Sequence, residues 1–185
     1  EPGKVEPISC VSLGAYLFTA MAVVIAYQHA DTSLVIFALL IAATLAIAWR
    51  TDAAAGVLPA AAIFVGLVFL SWAVRGNPEW LVVPGGAMPG IGADALEGSV
   101  TTHLGAALLF AAGFGITGFL AQGRAQNATV PVIWSAVAVA VPLALLVACY
   151  AHIAHLDRSI PFAILAVLLA AAFAFATEQL SRREP

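Results

Sequence analysis

Two histidines and an aspartate near the carboxyl-terminal part of the chain have the spacing of metal ligands. His152 and His155 are three residues apart, and Asp157 follows closely. If one helix runs through both histidines, their imidazoles project from the same side of it. Imidazoles and a carboxylate are ligands that zinc accepts, with a position left for water. The pattern predicts a metal site at His152, His155 and Asp157; the alternative is that all three are solvated loop residues.

The remaining histidines would lie near the same motif. His29, with its neighbour Asp31, and His103 stand at the ends of apolar segments predicted to face the same side as His152 and His155. A metal held by such a cluster would lower the pKa of a bound water toward about 7. A membrane enzyme with an outer-face His/Asp site is therefore one functional hypothesis.

Other motifs do not indicate catalysis or nucleotide binding. Gly113-x-Gly115-x-x-Gly118 matches the dinucleotide fingerprint as a string, but it lies inside an apolar segment, without a preceding strand or an acidic residue for a ribose. The sequence has no serine nucleophile elbow and no phosphate-binding loop. We therefore expect no cofactor and no nucleic-acid partner, and favour a noncatalytic protein.

The composition is that of a protein embedded in lipid. Hydrophobic residues make up 63% of the 185 residues and charged residues 9%, whereas soluble domains have about 45–50% and about 25%. Six stretches without charges are each long enough for a helix of roughly 20 apolar residues, which crosses a hydrocarbon core of about 30 Å. The sequence predicts an all-α bundle of about six transmembrane spans, forming a single domain over residues 1–185.

The basic residues give the predicted orientation. We place the spans near residues 8–27, 33–49, 55–74, 103–121, 130–151 and 159–177, with a long outer loop over 75–102. Because Lys and Arg accumulate in cytoplasmic loops, a five-to-two distribution predicts that both termini are cytoplasmic. The five on the side of the termini are Lys4, Arg50, Arg124, Arg182 and Arg183, and the two on the other side are Arg75 and Arg158.

Small residues and a proline predict how two spans pack. Ala107, Ala111 and Gly115 repeat every four residues in the fourth span, a pattern that lets a neighbouring transmembrane helix approach closely. Pro142 lies inside the fifth span, where it removes a backbone hydrogen bond and crowds the preceding turn, so we expect a kink.

The polar residues within the spans bear on transport. The predicted spans contain no Asp, Glu, Lys or Arg, which argues against an ion-driven transporter. Hydroxyl groups remain available for a substrate path, although such groups usually bond to a carbonyl one turn back. The hydroxyl residues considered are Thr19, Thr44, Thr117 and Ser135.

Several segments are similar to a known family. Residues 130–135, 141–146, 159–163 and 176–178, with His103-Leu104-Gly105 and residues 119–124, resemble the bacterial family of many-span membrane proteins called domain of unknown function 2339. The resemblance implies that the chain is part of a longer multi-pass protein of the bacterial inner membrane. It transfers no catalytic residue.

Three functional hypotheses follow. The leading one is a noncatalytic membrane scaffold or accessory subunit, whose partners are the lipid bilayer and other transmembrane helices or the rest of a longer chain. The first alternative is a transporter or flippase-like protein for an apolar or lipid-like substrate, which needs no charge within the membrane. The second alternative is the outer-face enzyme or metal site described above.

Overall fold

The fold is an all-helical bundle, as predicted. A computed structural model describes residues 5–75, 82–83, 86–87, 100–122 and 129–182. The helices are α1 (Pro7–Ala26), α2 (Asp31–Arg50), α3 (Leu58–Arg75), α4 (Val100–Ala121), α5 (Thr129–Ala154) and α6 (Ile160–Ser181), and a 3₁₀ helix, Asp52–Val57, leads into α3. Six of these segments are long and apolar enough to cross a membrane. The chain therefore has the architecture of a multi-pass membrane protein.

Each predicted span corresponds to one helix, and the ends differ by a few residues. The third helical segment begins three residues before the predicted residue 55, because Asp52–Val57 forms a 3₁₀ helix that leads into α3. Most of the predicted outer loop over 75–102 lies outside the described residues. Within it, β1 (Val82–Val83) pairs antiparallel with β2 (Gly86–Ala87).

Tight reversals join two of the helix pairs. Gln28 and His29 have φ values of 52° and 62° between α1 and α2, and His155 and Leu156 have values of 49° and 62° after α5. Residues with side chains rarely adopt this left-handed conformation. Each reversal ends its helix sharply and sends the chain back along the bundle.

Helices α1 to α5 share one core, while α6 lies at its edge. Aromatic side chains fill the centre: the rings of Phe37 and Phe69 each contact Phe110, with centroids 5.8 and 5.9 Å away. Helix α5 contributes ten buried residues to the bundle. Helix α6 contributes none.

Helices α4 and α5 approach each other closely at Gly118. A Cβ atom placed there would lie 2.5 Å from the Cβ of Ala138 and 3.0 Å from the carbonyl oxygen of Trp134. In the predicted small-residue stripe, Ala107 is buried and Ala111 half-buried, but a Cβ atom at Gly115 would have no neighbouring atom within 4 Å. The tight helix contact therefore lies one turn beyond the stripe's last residue.

Helix α5 continues through Pro142, whose side chain is buried. The proline ring has no amide hydrogen to donate to the carbonyl of Ala138, which is four residues earlier. Ala138 is also the residue that packs on Gly118. The predicted kink would therefore be centred near this close contact between α4 and α5.

Candidate functional site: a buried histidine–aromatic cluster

Three of the four histidines come together inside one end of the bundle. His29 lies in the α1–α2 reversal, His103 in the first turn of α4 and His152 in the last turn of α5. All three are at least nine-tenths buried, so His152 is not a solvated loop residue, as the alternative interpretation had it. With Phe69 and Trp72 of α3 they form the histidine–aromatic cluster.

The rings of the cluster follow one another in a continuous series of contacts. His29 stacks on Trp72 with ring centroids 4.9 Å apart. Trp72 meets His103 edge to face at 4.4 Å, and His103 stacks on His152 at 4.3 Å with an interplanar angle of 20°. The ring of Phe69 contacts His103 edge to face, with ring centroids 5.1 Å apart.

His29 contacts a backbone carbonyl and a hydroxyl group of α3. Its Nε2 lies 3.1 Å from the carbonyl oxygen of Val68 and 3.0 Å from the Oγ of Ser71. The Ser71 hydroxyl donates to the same carbonyl oxygen at 2.8 Å. Because a carbonyl only accepts, the contact with Val68 is a hydrogen bond in the tautomer of neutral His29 that carries its proton on Nε2.

The surroundings of His29 favour its neutral form. Burial lowers the pKa of His29 below its ordinary value of 6.5, and the positive charges of Arg75 and of protonated His152 lower it further. The hydrogen bond to the Val68 carbonyl opposes this shift, because it stabilises the protonated ring. Desolvation is the largest of these effects.

Within the part of the chain that the structure describes, three imidazole nitrogens of the cluster have no hydrogen-bond partner. They are Nδ1 and Nε2 of His103 and Nδ1 of His152. A buried polar atom without a partner costs about 1–3 kcal/mol, so native proteins contain few of them. His103 is fully buried, and both its donor and its acceptor are unsatisfied.

The predicted metal ligands do not share one helix face. Helix α5 ends at Ala154, and His155 adopts a left-handed conformation, so the helix does not continue through both histidines. His152 is buried, while His155 and Asp157 are exposed. Among the described residues, no group of three His, Cys, Asp or Glu side chains is arranged to hold a metal ion. The occupancy of this position by a metal stays a prediction.

Sequence reasoning did not single out Phe69, Ser71 or Trp72 as site residues. Phe69 and Trp72 are three residues apart on α3, which places them on one side of the helix. That spacing is the sequence feature that could have indicated an aromatic cluster on α3. It is weak, because aromatic residues on one helix face occur in every apolar core.

A lateral groove between α2 and α4 is the second notable feature. Two adjoining cavities of about 540 and 350 Å³ share Val35, Ala38, Leu109 and Phe110 as lining residues. Asp31 and Thr102 line one end of the groove, and Leu45 and Gly113 line the other. From position 31 to 45, α2 rises about 21 Å. The groove is therefore long, apolar and polar at one end only.

The four hydroxyl groups considered in the sequence analysis donate to carbonyl oxygens of their own helices. Thr19, Thr44 and Ser135 donate to the carbonyl oxygens of the residues four positions earlier, at 2.9, 2.8 and 2.9 Å. Thr117 does the same with Gly113. Each of these hydroxyls donates its proton within its own helix, and the four do not form a continuous polar path in the part of the bundle that is described.

Comparison with known proteins adds no relative. No protein-family model matches the chain, and neither the curated proteins nor the solved structures gave a match.

Proposed function

We propose that the chain is a noncatalytic membrane scaffold or accessory subunit whose sixth helix packs against transmembrane helices outside these 185 residues. The observation that carries this proposal is the exposure of α6, which has no buried residue. Among the described residues it makes few contacts with the other helices, one of them between Phe162 and Tyr150, whose ring centroids are 5.4 Å apart.

The surface of α6 supports close helix packing. Ala166, Ala170 and Ala174 repeat every four residues, and all three are exposed. Lipid tails are as apolar as leucine, so transmembrane helices associate mainly through tight packing, which small residues permit. A helix with such a stripe and little packing inside its own chain fits the role of a docking element.

A matched pair of substitutions tests the docking role. Ala170 and Ala172 are both exposed, and two residues along a helix correspond to a rotation of about 200°. Ala170→Leu would block close approach to the stripe, whereas Ala172→Leu adds the same bulk on the other side. Extraction in mild detergents followed by mass spectrometry should recover partners with the parent and Ala172→Leu proteins, and fewer with Ala170→Leu. A monodisperse, partner-free parent protein across several mild detergents would contradict the proposal.

We also propose that both termini face the cytoplasm of a bacterial inner membrane, within a longer protein similar to domain of unknown function 2339. The five-to-two distribution of basic residues supports this orientation. Cysteines introduced at Arg50 and Arg158, after replacement of Cys10 and Cys149, test it with an impermeant reagent on intact cells. Labelling at position 158 alone is the expected result, and labelling at position 50 alone would reverse the orientation.

A second candidate function, lipid handling, is favoured by the α2–α4 groove. One leaflet of the hydrocarbon core is about 15 Å thick, so a groove of about 21 Å fits one acyl chain and the start of its headgroup. The exposed carboxylate of Asp31 at the polar end complements an amine. The occupant that fits is a phospholipid with an amine-bearing headgroup.

The two glycines of the groove allow a direct test. A Cβ atom at Gly105 would have no neighbour within 4 Å, and one at Gly113 would lie 3.7 Å from Leu45. Gly105→Leu therefore fills the groove without backbone conflict, and Leu108→Ala on the exposed lipid side serves as control. In proteoliposomes, Gly105→Leu should abolish any movement of fluorescent phosphatidylethanolamine that the parent catalyses. Equal movement in protein-free vesicles and with the parent would reject lipid handling.

A further inference from the structure

The unpaired nitrogens of His103 and His152 define a site of a particular chemistry. A neutral imidazole carries one N–H donor and one acceptor nitrogen, so His103 presents both, and Nδ1 of His152 presents one more. A ligand that satisfies this set must donate as well as accept hydrogen bonds.

The surroundings limit the size of that ligand. His103 is fully buried, and the rings of Phe69, Trp72 and His152 contact it. Neither cavity of the α2–α4 groove is lined by His103 or His152. Aromatic rings therefore pack directly around His103, and neither of these two cavities reaches its nitrogens.

The geometry of the two rings does not suit a shared metal ion. The imidazole planes lie within 20° of parallel at a centroid distance of 4.3 Å. Lone pairs of imidazole nitrogens lie in the ring plane, so those of two stacked rings run side by side and do not converge at the short distance of about 2.0–2.1 Å that zinc requires. Among the described residues, no third ligand completes such a site.

From these observations we propose that His103 and His152 bind internal water at this end of the bundle and exchange their ring protons with it. Buried water typically forms hydrogen bonds to groups that would otherwise be unsatisfied. Because the two nitrogens of His103 point in different directions, the three nitrogens need more than one water molecule. The site lies within one turn of the start of α4 and of the end of α5. Ionisable side chains inside membrane spans are expensive and tend to be functional.

Solid-state NMR of histidine-labelled protein in lipid nanodiscs tests this proposal. Magnetisation transferred from water protons should appear on the ring nitrogens of His103 and His152, and on those of exposed His155 as a positive control. His103→Phe keeps an aromatic ring without nitrogens, so transfer to His152 should fall to less than half. His155→Phe is the matched control and should leave the His152 signal unchanged.

Several results would overturn the proposal. Magnetisation transfer from water to His155, without transfer to His103 or His152, would show that no water is bound at the stacked pair. One equivalent of Zn²⁺ that shifts both the His103 and His152 resonances would identify a metal ion as the ligand. If His103→Phe does not fold, His103→Gln replaces it. Unchanged magnetisation transfer to His152 in a folded variant would show that His152 does not share bound water with His103.

Discussion

The imidazole ring of His103 lies 4.3 Å from that of His152, centroid to centroid, and the two planes are 20° from parallel. The first comes from the beginning of α4 and the second from the end of α5, so the contact ties together the ends of two antiparallel helices. Trp72 of α3 contacts both rings, at 4.4 and 6.0 Å. One aromatic residue therefore links three helices and, through His29, the α1–α2 reversal.

Removing the Trp72 side chain should destabilise the bundle strongly. Trp72 is 6% exposed, and loss of a large buried aromatic side chain costs about 3–5 kcal/mol. We expect Trp72→Ala to lower the thermal unfolding midpoint of detergent-solubilised protein by several degrees. Trp49, which is 39% exposed, provides the control, and Trp49→Ala should lower the midpoint much less. Equal effects of both substitutions would show that the cluster does not hold the helices together.

A methyl group at Gly118 should separate α4 from α5. The added Cβ atom would lie 2.5 Å from that of Ala138 and 3.0 Å from a backbone oxygen, and such overpacking costs about 1–3 kcal/mol. Gly115→Ala makes the same change where no atom lies within 4 Å, so better helix propensity should leave stability unchanged or raised. Chemical unfolding of both variants measures the difference, and a Gly118→Ala protein as stable as the parent would disprove the close contact.

Acidification should weaken the docking of the α1–α2 reversal through His29. The native pKa of His29 is lowered, whereas an unfolded histidine titrates near about 6.5. As the pH falls below about 6.5, the unfolded chain binds a proton that the native chain resists, so stability declines until the native pKa is reached.

A histidine-to-glutamine pair isolates this effect. His29→Gln retains an N–H donor for the Val68 carbonyl but does not titrate, so its thermal midpoint should fall less between pH 7.5 and pH 5 than that of the parent. His155→Gln changes an exposed histidine and should keep the parent's pH dependence. An undiminished fall in His29→Gln would assign the acid sensitivity to other groups.

Replacing Pro142 should straighten α5. Pro142→Ala restores the amide that can donate to the carbonyl of Ala138 and removes the ring that crowds it. Spin labels at Val132 and Val147, which are 64% and 61% exposed, report the separation of the two halves of the helix. For a straight helix these Cα atoms are about 22 Å apart. The distance should increase in Pro142→Ala, and an unchanged distance would show that α5 is straight with the proline present.

The sequence by itself determined the number of helices that are long and apolar enough to span a membrane. In lipid, the backbone N–H and C=O groups of a segment must form hydrogen bonds with each other. A long apolar segment without charges is therefore expected to form a helix. Six such segments predicted six helices, and α1 to α6 confirm them. The ends were less certain because hydropathy does not report left-handed turns, such as the one at His155 and Leu156.

Only the tertiary structure decided which polar residues meet. The spacing of His152 and His155 suggested a pair, but α5 ends at Ala154 and separates them. His152 instead stacks on His103, 49 positions earlier in the sequence, in contact with Trp72 of a third helix. Such contacts depend on how the helices rotate and cross, and rotation is set by side-chain packing between helices. In a uniformly apolar segment the sequence pattern does not indicate which face of the helix is buried, because every face is equally suited to lipid.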